Sequence, residues 1–314
     1  MRTEKFSFIK LKGVRFYKNQ SMSRYTSLQV GGSALFVAQP KDEQSLILLL
    51  EHLRKNKIGW YLLGGGTNTI FNEKGFSGVV IRLGRNFRFI NFLSPPLLHV
   101  GSGASLSRLL EKCQKQGLGG LEFCYGIPGT MGGAVAGNAG MEGHSIHDFV
   151  KIIHGVTDQG KKVIIRRGEY SYGYRSVNLP LLSSQNRAHS QNKHNAIIIT
   201  SVVLELNKAE SQKQKHLLER YKKIRLNQPA SRGTAGSIFK NPEGDFAGRL
   251  IEAAGLKGSA IGGACVSKKH GNWIVNKGNA SANDVLSLIS LVRKTVKKRF
   301  GVELEPEVKI VGSR

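Results

Sequence analysis

Residues 121–140 read LEFCYGIPGTMGGAVAGNAG, with six glycines, a single charged residue, and Leu, Phe, Ile, Met and Val spread throughout. Glycine at that density is entropically expensive and is kept where a backbone must turn tightly or approach something closely. The apolar residues between the glycines exclude a solvated linker, so the segment is expected to be a packed loop and helix. A second glycine cluster, Gly64-Gly65-Gly66-Thr67-Asn68, directly follows a short apolar strand, Trp60 to Leu63. Its amides could converge on an anion such as a pyrophosphate. Neither cluster is a familiar nucleotide fingerprint. Residues 101–106 (GSGASL) have a strand-turn-helix setting but lack the last glycine, and Phe123-Cys124, with Glu122 just before, stand at the spacing where an acid would hold a ribose. No Gly-Lys-Ser/Thr sequence follows a glycine at P-loop spacing. An ordinary dinucleotide-binding Rossmann domain and a P-loop ATPase are therefore not expected.

The chain has 314 residues, 40% of them apolar and 8% aromatic, enough for a sizeable core without disulfide staples. Three cysteines without C-x-x-C spacing argue against a disulfide or zinc framework. His144, His147 and Asp148 supply too few ligands for a closed metal site and read as loop residues, so no metal is expected. No G-x-S-x-G nucleophile elbow is present. Residues 1–18 lack the apolar core of a signal peptide, and the longest apolar run, residues 46–50, is far short of a membrane span. These features predict a soluble cytoplasmic protein without membrane insertion. The 47 Lys+Arg against 21 Asp+Glu give +26, a field that favours anionic ligands. A nucleic-acid-binding protein is one reading of that charge, but the basic residues are dispersed and no RNA-binding signature or zinc finger accompanies them.

Pattern and caps predict strands near residues 34–38, 60–63, 79–83, 97–101, 150–165, 196–206, 264–266, 273–276 and 302–311. Helices are predicted near residues 42–55, 105–116, 209–225, 246–254 and 281–300. In the last of these, Ser281 and Asp284 form a capping box ahead of an apolar stripe from Val285 to Val296. The sum is an α+β protein with a boundary near residue 200 and a polar insert at residues 183–195. Three further groups could carry chemistry. AGSIFKNP places a hydroxyl, an ammonium and an amide (Ser237, Lys240, Asn241) within five residues. LEPEV would set Glu305 and Glu307 on one face of a strand, with Pro306 marking an edge. Tyr172, Tyr174 and Arg175 form an aromatic-basic group.

Each motif is modest alone, but their order is specific. YTS and VGG at residues 25–32, then GGGTN, GIPGTMGGAVAGNAG, YGYR, AGSIFKNP, AGLKG, VSKKHGNWIVNKG and LEPEVKIVG resemble the UDP-N-acetylenolpyruvoylglucosamine reductases over residues 24–312. The resemblance is to their shorter subclass, because no long insertion follows YGYR. It implies a basic lead-in (residues 1–23), an FAD-binding region of two α+β subdomains of the vanillyl-alcohol-oxidase (PCMH) type (24–200), and an α+β substrate-binding domain (201–314). By that resemblance Gly64, Gly65, Gly66, Thr67 and Asn68 embrace FAD. So do Gly126, Pro128, Gly129, Thr130, Gly132, Gly133, Ala134, Asn138 and Gly140 from the second glycine segment. The family's catalytic arginine, proton-donor serine and catalytic glutamate fall on Arg175, Ser237 and Glu307, while Glu305 is not the catalytic position. Tyr174, Arg225, Lys240 and Asn241 would contact the substrate. Thr67 stands where serine is usual, Gly137 where a bulkier residue is usual, and Ser176 follows Arg175 one place early.

The resemblance implies NADPH and FAD as cofactors, the UDP-linked enolpyruvyl sugar as substrate, and a monomer without a specific nucleic-acid partner. The residue types suit that chemistry. Arg175 offers a permanently positive fork to a developing enolate, Glu307 fits best as a protonated acid at the same oxygens, and the Ser237 hydroxyl can quench a strongly basic carbanion. A flavin oxidase on the same scaffold is the other enzyme reading, and AGSIFKNP together with LEPEV speaks against it.

Overall fold

The computed structural model describes residues 10–180, 196–230 and 232–312. The insert expected at residues 183–195 and the first nine residues of the lead-in lie outside them. Six α-helices occur among the described residues: α1 (Glu43–Lys55), α2 (Leu106–Lys115), α3 (Met131–Ala136), α4 (Ser211–Leu226), α5 (Ala247–Ala253) and α6 (Ala282–Phe300). The chain forms two compact units that are not contiguous in sequence. One comprises Met1–Lys18, Phe36–Gly64 and Gly78–Tyr221, and the other Asn19–Leu35, Gly65–Ser77 and Lys222–Arg314.

The first unit is built on two sheets. A four-stranded sheet has the order Val14–Ser21, Ser33–Pro40, Phe76–Ile81, Trp60–Leu62, so the expected lead-in contributes a strand. A five-stranded antiparallel sheet has the order Lys162–Arg166, Val150–Thr157, Ile197–Glu205, Leu97–Gly101, Ile90–Phe92. The continuous strand expected over residues 150–165 is thus a hairpin, turned at Gly160, whose φ of +83° suits only glycine without strain. Helix α1 starts where Asp42 accepts from the Ser45 amide and Ser45 reciprocates, a capping box. Its Leu46, Leu49, Leu50 and Leu53 fall on one stripe and pack with Phe36, Val79, Ile81, Val156 and Ile198 from both sheets.

The second unit holds a four-stranded antiparallel sheet in the order Thr234–Ser237, Trp273–Asn276, Ala264–Val266, Ala260–Ile261. Helices α5 and α6 bury Leu250, Ile251, Val285, Leu288, Ile289 and Val292 in its core, together with Leu28, Val30 and Ile70 from the early segments. The Ser281–Asp284 capping box is present, and Gly301 ends α6 in the left-handed conformation. The expected strand over residues 302–311 is a correction. Only Lys309–Val311 form a strand, pairing in parallel with Thr69–Phe71. Pro306 has no amide to donate to a ladder, and its one bridge is to Phe239. Glu305 and Glu307 therefore do not share a strand face. No helix among the described residues is long and apolar enough to cross a membrane.

Candidate active site

In the second unit, Ser237 and Glu307 are brought together by backbone bonds. Residues Thr234 to Ser237 pair with the Trp273 strand through a bulge between Thr234 and Ser237. Gly236, at φ +76°, takes the left-handed backbone that such a bulge requires, which re-aims the next side chain. Directly after Ser237, the Ile238 carbonyl accepts from the Glu307 amide at 2.8 Å, and the Lys240 amide donates to the Glu305 carbonyl at 2.9 Å. The Glu307 carbonyl in turn accepts from Asn68 Nδ2 at 3.3 Å, and the Lys309 amide donates to the Asn68 carbonyl. AGSIFKNP, LEPEV and the end of GGGTN, over 200 residues apart in the extreme, thus form one constellation. Gly66 needs to be glycine here: at φ +67° an added Cβ would sit 2.0 Å from the Tyr25 carbonyl oxygen.

The expected substrate contacts are differently disposed. Lys240 Nζ is 2.6 Å from Glu305 Oε1, so its charge is already paired with the glutamate that sequence reasoning set aside. Asn241 Oδ1 accepts from the Ala247 amide at the start of α5, and Arg225 Nη1 donates to Gln228 Oε1 at 2.6 Å. Tyr174 is 55% exposed, with its ring 5.3 Å from the Arg175 guanidinium carbon.

Arg175 belongs to the first unit. It occupies the tip of the hairpin Ser171–Gly173 and Ser176–Asn178, one position from Ser176. Its Nη1 and Nη2 donate to the Asn138 and Gly140 carbonyls at 3.3 and 3.2 Å, and Asn138 Nδ2 donates to the Gly173 carbonyl at 2.7 Å. Asn138 is 4% exposed and Gly140 approaches His144 too closely for a Cβ, so these two positions hold the hairpin in place. Gly126 and Gly129 both have positive φ, and Ala134 is buried.

A cavity of about 430 Å³ opens in the same unit, within the ~300–1,000 Å³ range of ligand pockets. Of the expected cofactor residues, Gly64, Thr130, Gly132 and Gly133 line it; Gly65, Gly66, Thr67, Asn68, Gly126, Pro128, Gly129, Ala134, Asn138 and Gly140 do not. Gly132 is held against Ser102, where a Cβ would come within 2.7 Å of the serine Cβ. Sequence reasoning missed residues 102–105 and Arg108 of α2 in the lining, although the Gly-Ser-Gly between strand and helix was the available signal. It also missed Arg82 and Arg88, and the apolar Leu62, Leu83, Ile197 and Ile199.

These residues fit FAD on observations independent of any resemblance. Ser102 is 3% exposed, and its Oγ has no hydrogen-bond partner although it borders the cavity. Leaving a buried hydroxyl unpaired costs about 1–3 kcal/mol, which a ligand acceptor or donor would relieve. Asn68 Oδ1 and Asn138 Oδ1, from the two glycine segments and outside the cavity lining, are also buried without partners. Apolar walls suit a flat ring system, and the amides near the start of α2, with three guanidiniums, suit a diphosphate.

Two protein-family descriptions match separate parts of the chain. Residues 34–166 match an FAD binding domain family, and residues 228–311 match the C-terminal domain of UDP-N-acetylenolpyruvoylglucosamine reductase. A protein of that name from Caldanaerobacter subterraneus is 40% identical over 304 residues, covering 97% of this chain and 96% of its own. The chain belongs to the UDP-N-acetylenolpyruvoylglucosamine reductase family. Another such reductase, from Anoxybacillus flavithermus, is 39% identical across 95% of this chain and 94% of its own. The crystal structure of the Thermus caldophilus reductase superimposes with a TM-score of 0.80 at 31% identity, over 95% of this chain and all of that one. Membership makes the chain an FAD-dependent oxidoreductase with an α+β fold, and it explains why dinucleotide fingerprints were absent from the glycine segments.

One expected loop residue is a correction. His147 is wholly buried, with Nε2 2.7 Å from the Val135 carbonyl and Nδ1 2.9 Å from the Tyr170 hydroxyl. No cluster of three or more potential metal ligands occurs among the described residues.

Proposed function

We propose that this chain reduces the enolpyruvyl double bond of UDP-N-acetylenolpyruvoylglucosamine to give UDP-N-acetylmuramate, a peptidoglycan precursor, with electrons from NADPH. FAD, when bound, supplies hydride that it has received from NADPH. The cavity wall at Gly64, Ser102, Thr130, Gly132 and Gly133 would hold it. On this reading residues 24–200 serve the flavin and residues 201–314 the sugar nucleotide, and the enzyme acts as a cytoplasmic monomer.

Hydride added to the terminal alkene carbon leaves an electron pair on the adjacent carbon, delocalised into its carboxylate. The Arg175 guanidinium stabilises that charge through directional, charge-assisted bonds. Glu307, as a carboxylic acid, donates to the same oxygens. The Ser237 hydroxyl transfers its proton to the carbon, completing the addition of one hydride and one proton, and is reprotonated from solvent. Tyr174, Arg225 and Asn241 contact the sugar nucleotide. Lys240 joins them by exchanging Glu305 for a phosphate oxygen.

The observation that carries the reading is the junction of Ser237 with Glu307 through the 2.8 Å Glu307 N–H bond to Ile238. The test is the visible spectrum of the purified protein, taken anaerobically with NADPH and then with the enolpyruvyl sugar. A flavin band bleached by NADPH and restored by the sugar is expected. Bleaching reversed by oxygen alone would assign a different substrate, and absence of flavin after adding FAD would overturn the reading.

A further inference from the structure

The hairpin that carries Arg175 has a difficulty built into its tip. Arg175 itself has φ +52°, a left-handed backbone that side chains other than Asn, Asp and Gly seldom adopt. Such a conformation persists only where the surroundings over-determine it. The bonds from the guanidinium to Asn138 and Gly140 are one restraint. The other converges on His147. Its ring lies parallel to Tyr172 of the hairpin, centroids 5.0 Å apart at 22°, and meets Tyr170 edge-on at 5.2 Å. A carbonyl can only accept, so the bond to Val135 fixes the proton on Nε2, and Nδ1 of the neutral ring accepts from the Tyr170 hydroxyl. Val135 belongs to α3, the helix whose Gly132, Gly133 and Ala136 line the flavin cavity. One imidazole therefore joins that helix to the base of the arginine hairpin.

We propose that His147 is a positioning residue for Arg175: its two hydrogen bonds and its stack on Tyr172 set the hairpin against α3 and so fix where the guanidinium meets the substrate carboxylate. This rests on the assignment of Arg175 given above. Burial pushes the His147 pKa down, outweighing the bond to the Val135 carbonyl and the Asp148 carboxylate, which both raise it, and the Arg167 guanidinium acts in the same direction as burial. Tyr170, pushed up to about 12 chiefly by burial and further by Tyr172, remains a donor. The neutral tautomer is thus the working one at neutral pH.

The test separates positioning from packing in the full-length holoenzyme. For His147→Leu, His147→Gln and Tyr170→Phe, flavin reduction by NADPH and reoxidation by the enolpyruvyl sugar are measured separately by anaerobic stopped flow, beside Arg175→Lys. His147→Leu is expected to bind FAD and be reduced within twofold of wild type. Its reoxidation should be slowed about 10-fold or more, since a misplacement of about 1 Å can cost 10²-fold. His147→Gln, whose amide can still donate to the Val135 carbonyl, should recover part of that rate, and Tyr170→Phe should show a smaller defect of the same kind. Combined with Arg175→Lys, His147→Leu should add little, because both act through one guanidinium. Wild-type reoxidation in His147→Leu and Tyr170→Phe, with Arg175→Lys slow, would overturn the inference. So would equal losses in both half-reactions without rescue by Gln. If His147→Leu does not fold, Tyr170→Phe decides by the same criteria. Normal reoxidation in Arg175→Lys would remove the Arg175 assignment itself.

Discussion

At the scale of single residues, the candidate chemistry depends on backbone devices that place otherwise ordinary side chains. Ser237 takes its position from the bulge before it and the Glu307 amide bond to Ile238 after it. Ser237→Ala should leave flavin reduction by NADPH nearly intact and slow reoxidation by the sugar about 10²-fold or more, as expected when a general acid is lost; equal rates in both half-reactions would exclude the serine as donor. Ser237 stood out as part of a small Ala-Gly lead-in followed by a hydroxyl, an amine and an amide, while its role as proton donor came from the family resemblance. His147 did not stand out, because its burial comes from Val135 and Tyr170, 12 and 23 residues away, and neither marks the histidine locally. Lys240 was legible as a cation but not as one half of an ion pair, since Glu305 lies 65 residues further on.

At the scale of elements, helices with their own start signals were the most readable: α1 and α6 carry reciprocal caps and a continuous apolar stripe. The final strand was misread for the converse reason, since alternation continues through Pro306 while hydrogen-bonding capacity does not. Helix α3 shows how composition and packing oppose each other. Replacing Gly132 with alanine would favour an isolated helix by about 1 kcal/mol. The added methyl would, however, meet Ser102 Cβ at 2.7 Å and its carbonyl oxygen at 3.2 Å, and overpacking of that kind costs about 1–3 kcal/mol. Packing wins, so Gly132→Ala should lower thermal stability and weaken FAD binding at least severalfold, read from quenching of flavin fluorescence on titration. Unchanged affinity would show that α3 can retreat without disturbing the cavity wall.

At the scale of the whole molecule, four histidines share one consequence. His99, His147, His154 and His270 all have lowered pKa values, in each case chiefly through burial. The unfolded chain would protonate them near the ordinary histidine value of about 6.5, while the folded chain resists. More protons bound by the unfolded state means that stability rises with pH in that window. Their contribution is therefore complete above about pH 6.5 and is lost progressively as pH falls through it. The melting temperature should drop between pH 7.5 and 5.5, and replacing the most buried of the four, His147, with glutamine should flatten that slope. The net charge of +26 adds self-repulsion throughout, so moderate salt should raise the melting temperature at every pH. The α+β class was readable from the sequence, but the interleaving of the two units was not. Nothing local marks residues 19–35 and 65–77 as partners of a C-terminal core.

That interleaving has a consequence for how the chain is made. Leu28, Val30 and Ile70 are 0–2% exposed in a core supplied mainly by residues beyond 234. The Asn276 side chain reaches the Leu28 carbonyl across 248 residues of sequence, and Ser27 reaches the Thr234 carbonyl across 207. At about 5–20 residues per second, on the order of 10–40 s of translation separates the apolar early strands from the partners that cover them. During that interval they are nascent chain with nothing of their own to bury against. An enzyme divided in this way depends, each time it is synthesised, on whatever shelters an unfinished polypeptide as it leaves the ribosome.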